Sequence, residues 1–371
     1  MRPRAVVVVA LLALGCKESG SGSGSASESE SESESESESE SESASGFESG
    51  SGSGSGPDGS GSESGPGPEP ESVRFDHLQA LGTHNSYHVA PAVTVPAWAY
   101  THRPLDEQLG IGVRQFELDV VLAETGDEFA VFHVEQIDEE TTCATLTECI
   151  ATMSAWSEAH PHHHPIVVLI EPKDAVASEA AADWLVALET VIDGAWPAAR
   201  LVVPDMVARD HGSLRAGLAA EGWPTIDELR GRALFVLHEG GALRDAYTTA
   251  GFAGRLLFPD AMGDLEVEWA AVHTINDPIG DADAITAAVS AGHLVRTRAD
   301  ADNIEPMMND TTRRDAALAS GAHFVSTDFP EPAESGYVVT IPDGTPSRCN
   351  PVHIAVGCTA SAIEDPALLD P

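Results

Sequence analysis

The sequence predicts an α/β chain whose folded part is a closed (β/α)₈ barrel of the TIM type, preceded by a disordered tether. Three observations carry that expectation. Between residues 73 and 340, short apolar runs alternate with longer Ala/Leu-rich stretches, the pattern of parallel β/α units. The span is long enough for one large core, and its apolar runs number about eight, the count that closes such a barrel. Each of the first four runs also ends in polar residues, on the face where barrels of this kind carry their chemistry.

The chain opens with Met1-Arg2-Pro3-Arg4, continues into the apolar stretch 5–14 and reaches Gly15-Cys16. A charged start, a short apolar run and a small-residue cleavage point make residues 1–16 a lipoprotein-type signal peptide, with Cys16 as the lipidated first residue of the mature protein. The run is about half the ~20 residues that a spanning helix needs. The mature protein is therefore expected as an anchored lipoprotein on a bacterial cell surface or periplasmic face, with plain secretion as the alternative. Residues 17–72 are almost entirely Ser, Gly and Glu, with a Ser-Glu alternation from Ser27 to Glu42. Such a segment has nothing to bury and repels itself, so it reads as a disordered linker holding the barrel away from a membrane.

The formal net charge is −41. Residues 1–71 hold only three basic and fourteen acidic residues, so most of the excess belongs to the folded part. Nucleic acid is excluded as a partner, because backbone phosphates demand a basic face. Beyond Lys17 the sole lysine is Lys173. Setting Cys16 aside leaves Cys143, Cys149, Cys349 and Cys358, and export favours disulfides among them. Three connectivities exist, and closeness in sequence favours Cys143 with Cys149 and Cys349 with Cys358. Zinc is the competing use, but gaps of five and eight residues miss the usual knuckle spacing.

Strands are expected near residues 77–82, 112–119, 128–134, 165–171, 232–238, 293–297 and 323–327, with the sixth at either 255–259 or 269–275. Helical patterns fall between them at 178–193, 226–229, 282–291 and 311–320. The segment 341–371, with its cysteine pair and prolines, reads as a short clipped tail over the barrel. The tract His160-Pro161-His162-His163-His164 precedes the fourth strand, so it is expected as a solvated loop on the amino-terminal face.

The polar set then falls at four successive strand ends: His84-Asn85, Glu117 with Asp119, His133, and Glu171. Strand residues two apart share a side, so Glu117-Leu118-Asp119 puts both carboxylates together. Any one of these acids would more often be a surface or capping carboxylate, and a lone histidine a packing residue. As a set they are different. Three carboxylates crowded together repel, and a hard divalent cation removes the conflict. With the Asn85 side-chain oxygen they form an all-oxygen donor set, which suits Ca²⁺, with Mg²⁺ as the lesser alternative. His84 and His133 flank such a centre as a pair suited to acid/base work near neutral pH. Lys173, Arg296 and Arg298 are the candidates for gripping a substrate phosphate or hydroxyl, against a competing role in salt bridges.

The stretches Gly82-Thr83-His84-Asn85-Ser86-Tyr87, Gly112-Val113-Arg114-Gln115-Phe116-Glu117-Leu118-Asp119-Val120, Phe132-His133-Val134 and Ile170-Glu171-Pro172-Lys173-Asp174 resemble the catalytic X-region of phosphoinositide-specific phospholipase C. They are more closely similar to the bacterial Ca²⁺-dependent phosphoinositide phospholipase C family, as are Val295-Arg296-Thr297-Arg298-Ala299-Asp300, Ser320-Gly321-Ala322 and Val325-Ser326-Thr327-Asp328. Glycerophosphodiester phosphodiesterases usually carry His-Arg at the first site, where this chain has His84-Asn85. The resemblance implies a barrel of the phospholipase-C-like phosphodiesterase kind. It also implies Asn85, Glu117, Asp119 and Glu171 as Ca²⁺ ligands. It implies His84 as the group that stabilises charge on the phosphorane, His133 as the acid that protonates the leaving diacylglycerol, and either Glu117 or Glu171 as the base that activates the inositol 2-hydroxyl. The expected products are diacylglycerol and a cyclic inositol phosphate. The expected partners of this monomer are a phospholipid or inositol-phosphate head group and the membrane surface. A glycerophosphodiester or sphingomyelinase-D-like phosphodiesterase is the second reading, and an inactive head-group-binding surface module the third.

Overall fold

Val, Ile and Leu fill the strand runs on both faces, as a parallel sheet covered by helices requires. The computed structural model describes residues 72–343, 346–365 and 367. Cys16, the signal segment and the tether up to residue 71 lie outside them. The strands are β1 (Leu78–Thr83), β2 (Val113–Leu122), β3 (Phe129–Val131), β4 (Ile166–Pro172), β5 (Ala233–Leu237), β6 (Leu257–Pro259), β7 (Val272–Thr274), β8 (Leu294–Arg298), β9 (Phe324–Thr327) and β10 (Ser347–Cys349). Parallel pairing runs β6-β5-β4-β2-β1-β9-β8-β7. A parallel bridge from Asp260 to Val272 joins β6 to β7 and closes the eight-stranded barrel.

Two expectations change. Both 255–259 and 269–275 contain a barrel strand, β6 and β7, so no choice between them was needed. The run 128–134 contributes β3, which is not a barrel strand. It pairs antiparallel with the upper end of β2, Val120 opposite Val131 and Leu122 opposite Phe129. The reason is distance along the chain: a parallel crossover needs a dozen or more residues, and only 123–128 separate the two strands. Gly126, at φ +77°, makes the turn. The hairpin rises above the barrel and its return leg descends toward the rim.

Period-two alternation sorts the side chains. On β4, Ile166, Val168 and Ile170 pack outward against the helices Leu146–Ala159 and Ala181–Ala195, while Val167 and Leu169 pack inside the barrel with Ala80, Leu234, Val236, Phe258, Leu294 and Phe324. Gly82 faces inward beside Gln115, whose Oε1 lies 2.1 Å from where a Cβ would sit, so a larger residue would force the Gln115 side chain to move. The apolar interior stops one or two residues short of the carboxyl ends, and charged residues of the same parity continue from there.

The disulfides Cys143–Cys149 and Cys349–Cys358 are both formed. β10 pairs with the lower half of β1, on the edge that β2 leaves open. Glu364 accepts from the fully buried Arg114 and, at 3.0 Å, from the His164 backbone N–H. His164 Nε2 meets the Ser347 hydroxyl at 2.6 Å and His163 Nε2 meets Ser157 at 2.6 Å. The histidine tract is thus solvated only in part: Pro161 and His162 are exposed, but His160 stacks on Trp156 and His163 and His164 are buried, His164 because it serves as a polar partner where the tail docks.

This docking site makes two demands that can be measured. Burial holds His163 at about 3 and His164 at about 4, below their unfolded value. Their neutral forms favour the folded state fully above pH 6.5, and that stability is lost as pH falls toward 4 and then 3. Glu364→Ala would strand a buried guanidinium, and urea unfolding at pH 7 is expected to show a loss of about 3 kcal/mol or more. A loss under about 1 kcal/mol would contradict this account of the tail.

Candidate active site

The inward parity of each strand ends in a polar group at the carboxyl face. β1 leads to His84, β2 carries Glu117 and Asp119, β4 carries Glu171 and leads to Lys173, β5 leads to His238, β6 to Asp260, β8 carries Arg296 and Arg298, and β9 leads to Asp328. Leu118 points the other way, into the outer core. Glu117 and Asp119 are almost wholly buried, while Glu171 is partly open.

Cations are interleaved with these acids. Lys173 Nζ lies 2.6 Å from Glu171 and 3.0 Å from Asp119. Arg296, itself buried, donates to Glu117, to Asn276 and, at 3.1 Å, to Ser326. His238 Nδ1 stands 2.6 Å from Asp260, and burial notwithstanding, Asp260 and then Glu171 and Glu117 raise it to about 9. Donor atoms of Glu117, Glu171 and His238 lie within 4.8 Å of one another, the spacing of a cation site.

The neutralisation is uneven. Burial opposes the charge on Glu171, but Lys173 and His238 hold it down at about 2. For Asp119, burial and then Glu171 push the carboxyl up to about 8 against the pull of Lys173. Both Asp119 oxygens are buried, and among the described residues only Oδ2 has a cation beside it, Lys173 Nζ at 3.0 Å. The ammonium sits closer to Glu171, so Asp119 is the carboxylate left short of positive charge.

The two histidines each rest on a carboxylate. His84 Nδ1 is 2.8 Å from Asp328, and Arg298 Nη1 lies 3.4 Å from its Nε2. Burial, then Arg298, lowers the His84 pKa well below the usual value, so the ring is neutral here. Asp328 in turn accepts from Arg298 at 3.3 Å and stands beside Asp300, whose carboxyl burial and Asp328 raise to about 7. His133, just past β3, has its Nδ1 2.8 Å from Asp138 and its ring edge-on to Trp98 at 5.0 Å. Asn85 adopts φ 40°, a left-handed conformation that Asn tolerates, and its side chain bonds the Tyr100 hydroxyl.

The three carboxylates expected as ligands thus meet at one mouth, with Lys173 and Arg296 among them rather than apart as free substrate grips. Arg298 stands beside His84. His238, Asp260, Asp328 and Asp138 were not singled out from sequence. The first three follow strands at inward parity, a usable signal. Asp138 lies on the hairpin's return loop, where no periodicity marks it.

An eight-stranded parallel barrel with buried carboxylates and carboxylate-backed histidines at its mouth defines the class of the phospholipase-C-like phosphodiesterases. The family model for Ca²⁺-dependent phosphoinositide phospholipase C matches residues 73–131 and 127–351, so the chain belongs to that family of phosphodiesterases. No curated protein matches it. Among solved structures, the calcium-dependent phosphoinositol-specific phospholipase C of a Gram-negative Pseudomonas sp. is similar at TM-score 0.54 and 16% identity, over 75% of this chain and 95% of that one. Its myo-inositol complex gives TM-score 0.54 at 16% identity, over 75% of this chain and 96% of that chain. A Ca²⁺-dependent phosphatidylinositol-specific phospholipase C from Streptomyces antibioticus gives 0.51 at 18% identity, over 69% and 95%. These likenesses establish the fold.

The Asp119 imbalance predicts a stability trade. A carboxyl held near 8 in the folded state and near 3.9 in the unfolded chain costs folding stability progressively as pH rises from 4 to 8. In chelator at pH 8, Asp119→Asn is expected to raise the thermal midpoint by a few degrees, with the gap from the parent closing by pH 4. A variant less stable than the parent at pH 8 would contradict the assignment.

Proposed function

We propose that this chain is a Ca²⁺-dependent phosphoinositide phospholipase C. In this reading it cleaves the glycerol–phosphate bond of phosphatidylinositol-like lipids and releases diacylglycerol and a cyclic inositol phosphate. The observation that carries the reading is the buried acidic mouth, where Asp119 shares one ammonium with Glu171 and stands beside Glu117. Oxygen donors in that number, too close for their own charges, fit a hard divalent cation. Asn85, Glu117, Asp119 and Glu171 would hold it. Bound there, Ca²⁺ would lower the pKa of the inositol 2-hydroxyl and neutralise phosphoryl oxygens.

The chain's own groups divide the remaining work. Glu117 and Glu171 are the two candidates for taking the 2-hydroxyl proton as that oxygen bonds to phosphorus. The phosphorus–glycerol oxygen bond breaks, its electron pair stays with the glycerol oxygen, and His133 supplies the proton that completes diacylglycerol. His84 is neutral before substrate enters. Negative charge accumulating on the phosphorane favours its protonated form, so Nε2 can donate while Asp328 keeps Nδ1–H. Arg298, and Lys173 and Arg296 if a cation relieves them of their carboxylates, would bind phosphate and inositol hydroxyls.

A lipid substrate is supported by the rim. Ile304, Met307 and Met308 on the short helix Ile304–Met308 after β8, and Met262 after β6 and Ile137 after β3, are exposed apolar residues in the segments that follow these strands. On an otherwise strongly acidic protein, such a rim suits contact with acyl chains around a head group.

Two experiments test this. Incubation with phosphatidylinositol should release cyclic inositol phosphate, with turnover abolished by chelator and restored by Ca²⁺. Chelator-insensitive turnover, or release of glycerophosphoinositol or phosphatidic acid, would remove the reading. Replacing Met307 and Met308 together with Ser is expected to cut cleavage of phosphatidylinositol in vesicles about tenfold, with little change for a soluble head-group ester. Equal loss on both substrates would argue against a membrane-facing rim.

A further inference from the structure

Asp138 is shared by two histidines, and only one of them faces the mouth. His133 approaches with Nδ1 at 2.8 Å. From the other side comes His88, fully buried, with its Nε2 3.0 Å from each Asp138 side-chain oxygen. The remaining His88 nitrogen, Nδ1, is 3.0 Å from the Tyr100 carbonyl oxygen. A carbonyl oxygen only accepts, and so does an ionised carboxylate. Burial opposes the Asp138 charge, yet hydrogen bonds from His133 and then His88 outweigh it and hold that carboxyl at about 2. His88 Nε2–H therefore donates to Asp138, and the carboxylate is held between the His88 and His133 rings.

That arrangement has a consequence for His133. Asp138 accepts only, so His133 Nδ1 carries a proton and Nε2 is the nitrogen left to exchange one with substrate. His88 also anchors the carboxylate rigidly. The hairpin return loop carrying Asp138 and His133 is long and unpaired with the barrel strands, and His88 ties it to the loop after β1. The His88 N–H donates to the Asn85 carbonyl at 2.8 Å, its carbonyl accepts from His102 at 2.9 Å, and the residue bridges to Thr141. The ring packs at a tilt of 38° against Tyr100, 4.4 Å between centroids, and meets the His133 ring edge-on at 6.2 Å.

We propose that His88 is a positioning residue for the leaving-group step, acting through Asp138 to fix the tautomer and orientation of His133. The inference rests on the reading of His133 as the general acid, and the test separates the two. A diacylglycerol oxygen leaves only if protonated, whereas p-nitrophenolate needs no acid. We would compare kcat/KM for phosphatidylinositol and for p-nitrophenyl inositol phosphate in the full chain with Ca²⁺.

His88→Phe and Asp138→Asn are expected to lower lipid cleavage about 10- to 100-fold, and to lower the ratio of lipid to nitrophenyl-ester cleavage at least tenfold. His133→Ala should lower that ratio at least as far. Equal losses on both substrates in His88→Phe and Asp138→Asn, with His133→Ala still selective, would overturn the role of His88 alone. An unselective His133→Ala would overturn the general-acid reading and this inference with it. Calcium affinity in His88→Phe should stay within about threefold of the parent, and a larger loss would assign His88 to the Asn85 loop instead. ¹⁵N spectra of the histidine rings should show the neutral His133 ring protonated on Nδ1 in the parent and a mixture of tautomers in His88→Phe, and an unchanged tautomer in that variant would refute the proposal.

Discussion

Crowding of buried carboxylates at the mouth of the barrel is the constraint on which the rest of this structure depends. Glu117, Asp119 and Glu171 are brought together by strand parity alone, since residues of one parity on β2 and β4 all point inside. Left to themselves they would repel or take up protons. The chain answers with Lys173 between Glu171 and Asp119, Arg296 on Glu117 and a charged His238 backed by Asp260. These cations explain why so acidic a chain keeps its sole barrel lysine at this place.

The answer is incomplete by design of the geometry. Asp119 is fully buried and shares its one ammonium with Glu171, and that deficit of positive charge is what a divalent cation would fill. The same cations that quiet the acids are the groups a substrate phosphate would attract. Under the proposed function, cation binding and substrate binding would be coupled through Lys173 and Arg296, because relieving the carboxylates would release their counter-ions. Each histidine, by contrast, has its own carboxylate, so His84 and His133 are oriented independently of the acidic cluster.

Much of this was legible in the chain. The β/α alternation gave the barrel, and the i, i+2 spacing of Glu117 and Asp119 gave their shared direction. Lys173 stood out by its isolation and proved to be inside the mouth. Where the reading went astray, non-local pairing decided. Residues 128–134 looked like a barrel strand because apolar content does not reveal strand direction, which the short connection from β2 determines. The 160–164 histidines looked solvated because nothing local announces that a tail some two hundred residues later docks there with Glu364 and Ser347. Asp138 and His88 were invisible for the same reason: neither sits at a strand end, and their importance comes from contact with each other.

The most direct test of the central claim is a crystal structure of the full chain soaked in Ca²⁺, with the ion located by its anomalous signal. One ion bound by Glu117, Asp119 and Glu171, with the Lys173 ammonium moved off Asp119, is the predicted result. Lys173 still bridging Asp119 and Glu171, with Ca²⁺ absent from the mouth or held elsewhere, would contradict the account.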